Sequence, residues 1–179
     1  MSHSVSFLFI STVVLLLRIA TCQEDLVSTT CSQTPFADTC SSSLRSDPLS
    51  QNSDVKGLAT ITLEKSIEKA TETKAHIDYL IKLHNPNQTE YEFKCLKECL
   101  VEYSEALDNL QGSYLALNTS SFDTVNSDVA AAMSDAESCE NGYEEEQLLQ
   151  NPSPLTERNK IFSELCSNFL AITTLVSKM

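Results

Sequence analysis

The sequence predicts an all-α protein: an up-down-up-down four-helix bundle with an N-terminal α-helical hairpin, stapled by disulfides. Three observations carry this. Beyond residue 53, apolar residues recur at three- and four-residue intervals through four long segments, the period of a helix face rather than a strand. Only three Gly and five Pro occur in 179 residues, too few for a turn-rich sandwich. Six of the seven cysteines lie beyond residue 22, an even set that suits disulfides in an oxidising compartment.

Phe7–Leu17 reads FLFISTVVLLL, too short for a membrane span of about 20 residues and fitting for a signal-peptide core. Ala20 and Cys22 are small residues at −3 and −1 of a cut before Gln23. Residues 1–22 are therefore expected to be a signal peptide and 23–179 the working domain, secreted, with no membrane anchor. Losing Arg18 and Cys22 would leave 11 basic residues against 25 acidic, a net charge of −14, and six cysteines. Such a surface repels phosphate backbones, which excludes nucleic-acid binding, and favours basic partners.

The elements follow in order. Residues 24–53 are Ser/Thr-rich, with Pro35 and Pro48 as breakers. The short stretch from Cys31 to Cys40 is expected to form a compact turn or helical hairpin closed by its own two cysteines. Asp54–His84 has Val55, Leu58, Ile61, Ile67, Ala70, Ile77 and Ile81 at helical spacing, and Asn85-Pro86-Asn87 stops it. A second helix runs from about Thr89 to Leu117, with Asn87 and Glu90 as a reciprocal cap. Its apolar face holds Leu96, Cys99, Tyr103, Ala106, Leu110 and Tyr114. Ser120 with Asp123 signals a third start, followed by Phe122, Val125, Val129, Ala132, Ala136, Cys139 and Tyr143 on one face. The fourth helix starts at Ser153-Pro154 or Thr156, with Ile161, Leu165, Phe169, Ile172 and Val176. Four amphipathic helices with short connections bury their faces most simply as an antiparallel bundle.

Cys95 and Cys99 are i and i+4, with Cβ atoms about 6 Å apart, too far to pair. An antiparallel hairpin turning near Ser120 puts residues about twenty either side of the turn opposite one another, which selects Cys99–Cys139. Cys95 and Cys166 remain, either as a link between helices two and four or as buried thiols. A packed core thiol is the simpler reading of Cys166. A four-cysteine zinc site lacks the short knuckle spacing.

No catalytic pattern is present: no G-x-S-x-G, G-x-G-x-x-G, P-loop or H-E-x-x-H. His76 and His84 have no supporting acid motif. The acidic runs have no EF-hand spacing. The chain is expected to be no enzyme and to need no cofactor or metal. Sequons at Asn87-Gln-Thr and Asn118-Thr-Ser fall in the predicted inter-helix turns and make Asn87 and Asn118 candidate N-glycosylation sites.

Four segments in order carry a resemblance: LVSTTCSQTPFADTC from Leu26, SDPLSQNSDVKGLA from Ser46, LKECLVEYSEALDNL from Leu96 and AAMSDAESCENGY from Ala131. Together they resemble the plant invertase and pectin methylesterase inhibitors, over Leu26 to Val176. The resemblance implies a helical hairpin on a four-helix bundle with disulfides Cys31–Cys40 and Cys99–Cys139. It also implies stoichiometric inhibition of a plant pectin methylesterase or acid invertase, 1:1, in the apoplast and cell wall or the vacuole. Invertase-blocking members often carry Pro-Lys-Phe where this chain has Ser120-Ser121-Phe122. The ending SELCSNFLAITTLV, with Cys166, looks more like the pectin methylesterase inhibitors. That target is the expectation, with acid invertase as the alternative and a non-inhibitory helical binding protein of the same fold as a further one. In the pectin methylesterase-inhibiting relatives the second and third bundle helices lie across the enzyme's cleft. Matching by the cysteine motifs puts Glu98, Glu102, Glu105 and Asp108 on one contributing helix, and Ser134, Ser138 and Asn141 on the other.

Overall fold

The computed structural model describes residues 25–83, 89–144 and 153–179. They form α1 (Leu26–Cys31), α2 (Ala37–Arg45), a 3-10 turn (Pro48–Asn52), α3 (Val55–Leu83), α4 (Glu90–Asn118), α5 (Phe122–Glu144) and α6 (Thr156–Val176). No strand occurs among the described residues. None of their helices is long and apolar enough to cross a membrane. The expected signal peptide, His84 and Asn87 lie outside the described residues.

Helices α3 to α6 form the bundle, each packed on its sequence neighbour, with α6 closing back on α3. The α1/α2 hairpin sits across α3 and α6. Asp25 caps α1 by accepting from the Val27 N–H at 3.2 Å. The Cys31–Cys40 disulfide closes the hairpin with Cα atoms 5.5 Å apart. One fully buried side chain pins it to the bundle. Asn168 of α6 accepts from the Phe36 N–H and donates to the Phe36 carbonyl, both at 3.0 Å. This bidentate bond satisfies the irregular backbone between α1 and α2, which would otherwise lose water without replacement.

The core follows the predicted faces closely. Leu96, Cys99, Tyr103, Ala106 and Leu110 of α4 are buried against Val125, Val129, Ala132, Ala136 and Cys139 of α5. Tyr103 meets Phe162 of α6 with ring centroids 5.7 Å apart and planes tilted by 58°, a favourable aromatic arrangement. Tyr114 departs from expectation: it lies on the exposed flank, and Ser113 and Leu117 take the core positions. The face rotates slowly over so long a helix because 3.6 residues per turn does not match a fixed three-four alternation.

The helix starts also differ in detail. The cap of α4 is Thr89 with Glu92, not Asn87 with Glu90. The Glu92 N–H donates to Thr89 Oγ1 at 3.0 Å, and the Thr89 N–H to Glu92 Oε2 at 2.8 Å, a capping box shifted by two residues. Ser120 closes α4 rather than opening α5. Its φ of 57° is left-handed. The Ser121 N–H reaches the Ala116 carbonyl at 2.9 Å and the Ser120 N–H the Leu117 carbonyl at 3.2 Å. These two bonds make a Schellman termination with Ser120 in the position that favours glycine. At the other end of the bundle, α6 takes the later of its two expected starts, Thr156.

Both disulfides form as expected, Cys99–Cys139 with Cα atoms 4.7 Å apart. Cys95 and Cys166 are free and buried. Burial pushes the Cys166 thiol up to about 12, so it is a packed core group with almost no thiolate at neutral pH.

Candidate target-binding face

Helices α4 and α5 form the most extensively packed pair of the bundle, so their shared outer surface is a rigid platform. Cys99–Cys139 clamps it toward the end remote from the α4/α5 turn. Nearer still to that end, Tyr91 Oη donates to the Gly142 carbonyl at 2.8 Å, and the Cys95 thiol reaches the same oxygen at 3.3 Å. The register set by the disulfide places Asp135 of α5 opposite Glu102 and Glu105 of α4.

Those three carboxylates converge, with oxygens all within 4.8 Å of one another. Glu102 and Asp135 are half-buried and Glu105 is exposed. Burial raises the pKa of Glu102, and Asp135, Glu105 and Glu98 raise it further. Burial likewise raises Asp135, the bond from Asn109 Nδ2 at 3.1 Å lowers it, and Glu105 raises it. Like charges held together without a compensating cation disfavour ionisation. The cluster therefore presents concentrated negative potential on a firm base, suited to receiving a guanidinium or ammonium group. The same spacing could hold a divalent cation through oxygen ligands alone.

The other expected residues fall around this cluster. Glu98 is exposed and pairs with Lys94 at 3.5 Å. Asp108 is exposed and lies three residues past Glu105. It lies about a turn along α4 beyond the three convergent carboxylates and is not part of their group. Ser134, Ser138 and Asn141 are all exposed on α5, and their spacing of four and three makes one stripe. Asp135 was missed in the sequence, although the register that pairs Cys99 with Cys139 points directly to it. Asn118, the second sequon residue, is exposed at the last turn of α4.

Comparison with known proteins places the chain. The family model described as plant invertase/pectin methylesterase inhibitor matches residues 25–172. A Platanus orientalis protein, provisionally named an invertase inhibitor, is 28% identical over 135 residues, covering 75% of this chain and 76% of its own. The pectinesterase inhibitor of Actinidia deliciosa is 25% identical over 183 residues, covering 98% of this chain and 96% of its own. A crystal structure of a mutant form of an Arabidopsis pectin methylesterase inhibitor superposes with a TM-score of 0.69 at 22% identity, over 85% of this chain and 97% of that one, a likeness of fold. These relatives are named as inhibitors, not enzymes. With the family model spanning the hairpin and all but the last turn of the bundle, the chain belongs to the plant invertase/pectin methylesterase inhibitor family.

Proposed function

We propose that this chain is a secreted inhibitor of pectin methylesterase that binds its target 1:1 and covers the active-site cleft with the α4/α5 face. The observation that carries the reading is the convergence of Glu102, Glu105 and Asp135 on that face. On a chain of net charge −13, such a cluster steers encounter with a basic rim and fixes register. Glu98, Asp108, Ser134, Ser138 and Asn141 surround it as a polar border. Affinity comes from the contacts these groups close off from water.

Pectin methylesterase is favoured over acid invertase on two grounds. Helix α5 begins at Phe122 after Ser120-Ser121, without the Pro-Lys pair of many invertase inhibitors. The Actinidia pectinesterase inhibitor aligns along nearly the whole of both chains. Acid invertase stays as a second reading because the Platanus orientalis relative is more identical, over a shorter stretch. A signal peptide at residues 1–22 would deliver the protein to the cell wall, where pectin is de-esterified. The test is parallel inhibition assays against a purified plant pectin methylesterase and a purified acid invertase. Stoichiometric loss of esterase activity with intact invertase supports the reading. The reverse pattern replaces it with invertase, and inhibition of neither overturns it.

A further inference from the structure

We propose that the cleft between α2, α3 and α6 is a binding site for a neutral saccharide. The cleft measures about 310 Å³, at the small end of ligand sites and roomy enough for about one or two sugar rings. It lies on the α3/α6 edge of the bundle, across from the α4/α5 face, and does not depend on what that face binds.

Its chemistry matches a polyol on each side. From α2 and its C-cap, Ser42, Ser43 and Ser46 line the cleft. Their hydroxyls donate to the carbonyls of Thr39, Cys40 and Ser43 at 3.1, 3.0 and 2.6 Å. With those protons committed, the oxygens offer lone pairs to a ligand's hydroxyl groups. From α3, Lys65 and Lys69 have side chains only 25% exposed. Each gives one N–H to a carboxylate, Glu68 and Glu72 respectively, at 2.9 Å. The ion pairs hold the ammonium groups against the wall, and an ammonium has three donors. Ile161 and Leu165 supply an apolar lining for the C–H face of a ring.

Beyond Glu72 the seam between α3 and α6 continues to an aromatic surface. The charge of Arg158 acts on both Glu72 and His76. His76 stacks with Tyr79 at 6.3 Å and 26° between planes, and Tyr79 is 58% exposed. Paired acceptors and donors beside an apolar wall suit a molecule whose every hydroxyl both donates and accepts, and the aromatic pair lies where a longer chain of sugars would leave the cleft. The ligand is neutral because the charges around the cleft balance: Lys65 and Lys69 pair with Glu68 and Glu72, and Arg158, acting on Glu72, is offset by Glu164, which accepts from Thr39 of the cleft wall. The net charge of −13 repels a polyanion.

The test is an NMR titration of the ¹⁵N-labelled, disulfide-bonded chain with two neutral probes: sucrose and a fully methyl-esterified galacturonate hexasaccharide. The unesterified acid hexasaccharide is the charged control. Saturable amide shifts at Ser42, Ser43, Lys65 and Lys69 are expected with a neutral probe at concentrations up to about 10 mM. Sucrose alone would assign the free disaccharide, and the hexasaccharide alone a wall polymer. Ser42→Leu, an exposed position whose larger side chain would occupy the cleft, should abolish the shifts and leave inhibition of the target enzyme unchanged. Tyr79 lies outside the cleft, about 10 Å along α3 from Glu72, so Tyr79→Ala should weaken binding of the hexasaccharide and leave that of sucrose unchanged. The proposal is overturned if neither neutral probe gives saturable shifts in the cleft, if Ser42→Leu binds like the parent, or if the acid hexasaccharide binds as well as the neutral ones.

Discussion

Tyr103 donates its phenolic proton to Asn159 Oδ1 at 2.6 Å, joining α4 to α6 through the core. Asn159 Nδ2 passes the chain on to Glu140 Oε2 at 2.6 Å, and Thr156 Oγ1 donates to the other oxygen of Glu140. A buried tyrosine, a buried asparagine and a half-buried glutamate thereby tie three helices together. Tyr143, by contrast, has a buried hydroxyl without a hydrogen-bond partner among the described residues. Tyr103→Phe should cost about 1–2 kcal/mol because it orphans a buried amide oxygen. Tyr143→Phe should raise stability by about 1 kcal/mol, since it deletes a buried hydroxyl that has lost water without replacement. Urea unfolding of the two variants checks the pair.

The Cys99–Cys139 cross-link closes a loop of sequence separation 40. Cys99→Ala with Cys139→Ala should lower stability by about 4 kcal/mol, chiefly by freeing the unfolded chain. Chemical denaturation of the double variant measures it. Far-UV circular dichroism in water should stay helical, because the face around the two positions remains apolar.

Ser120 carries the left-handed φ of the α4/α5 turn. Ser120→Gly should raise stability by about 0.5–1 kcal/mol by relieving the Cβ contact with the carbonyl. Ser120→Val should lower it. Ser120 also completes the Asn118 sequon, so the comparison belongs on protein made without glycosylation, read as thermal midpoint.

Glu102 and Asp135 have pKa values raised above their ordinary 4.5 and 3.8. The folded state therefore holds these protons more tightly than the unfolded state. Stability is lost as pH climbs from the unfolded values through the folded ones. Glu102→Gln removes like-charge pairs with Glu98 at i,i+4 and Glu105 at i,i+3, and should stabilise by about 0.5 kcal/mol at pH 7. The gain should shrink on acidification and vanish below about pH 3, where the carboxyls are protonated in both states. Thermal melts of both proteins across that range check the sign.

Much of this was legible in the sequence, and the gaps have physical causes. Helix period located α3 to α6 and the core face of α5. The hairpin register found Cys99–Cys139, and the same register points to Asp135, which carries no motif of its own in the sequence. On α3 the pattern misleads: Thr62, Ser66 and Thr73 are polar but buried. Thr62 and Ser66 return their hydroxyls to the carbonyls of Leu58 and Thr62, and Thr73 to that of Lys69, so burial costs them little. Asn159 stands between Arg158 and Lys160 and Asn168 between Ser167 and Phe169, and neither polar side chain gives a local sign that it enters the core. Their roles depend on how α6 is rotated against α4 and the hairpin, which periodicity along one helix does not fix. The α2/α3/α6 cleft exists only once the hairpin is docked.

The steering role of the α4/α5 face is tested most directly by association kinetics with a basic plant pectin methylesterase. The variant Glu102→Gln/Glu105→Gln/Asp135→Asn keeps side-chain shape and removes three charges. It should associate about tenfold more slowly at low ionic strength. Its rate should also fall less steeply as salt rises through about 0.1 M, where exposed charges are screened over about 10 Å. Helicity should match the parent. An association rate and salt dependence equal to the parent's would contradict the assignment of this face as the surface that meets the enzyme.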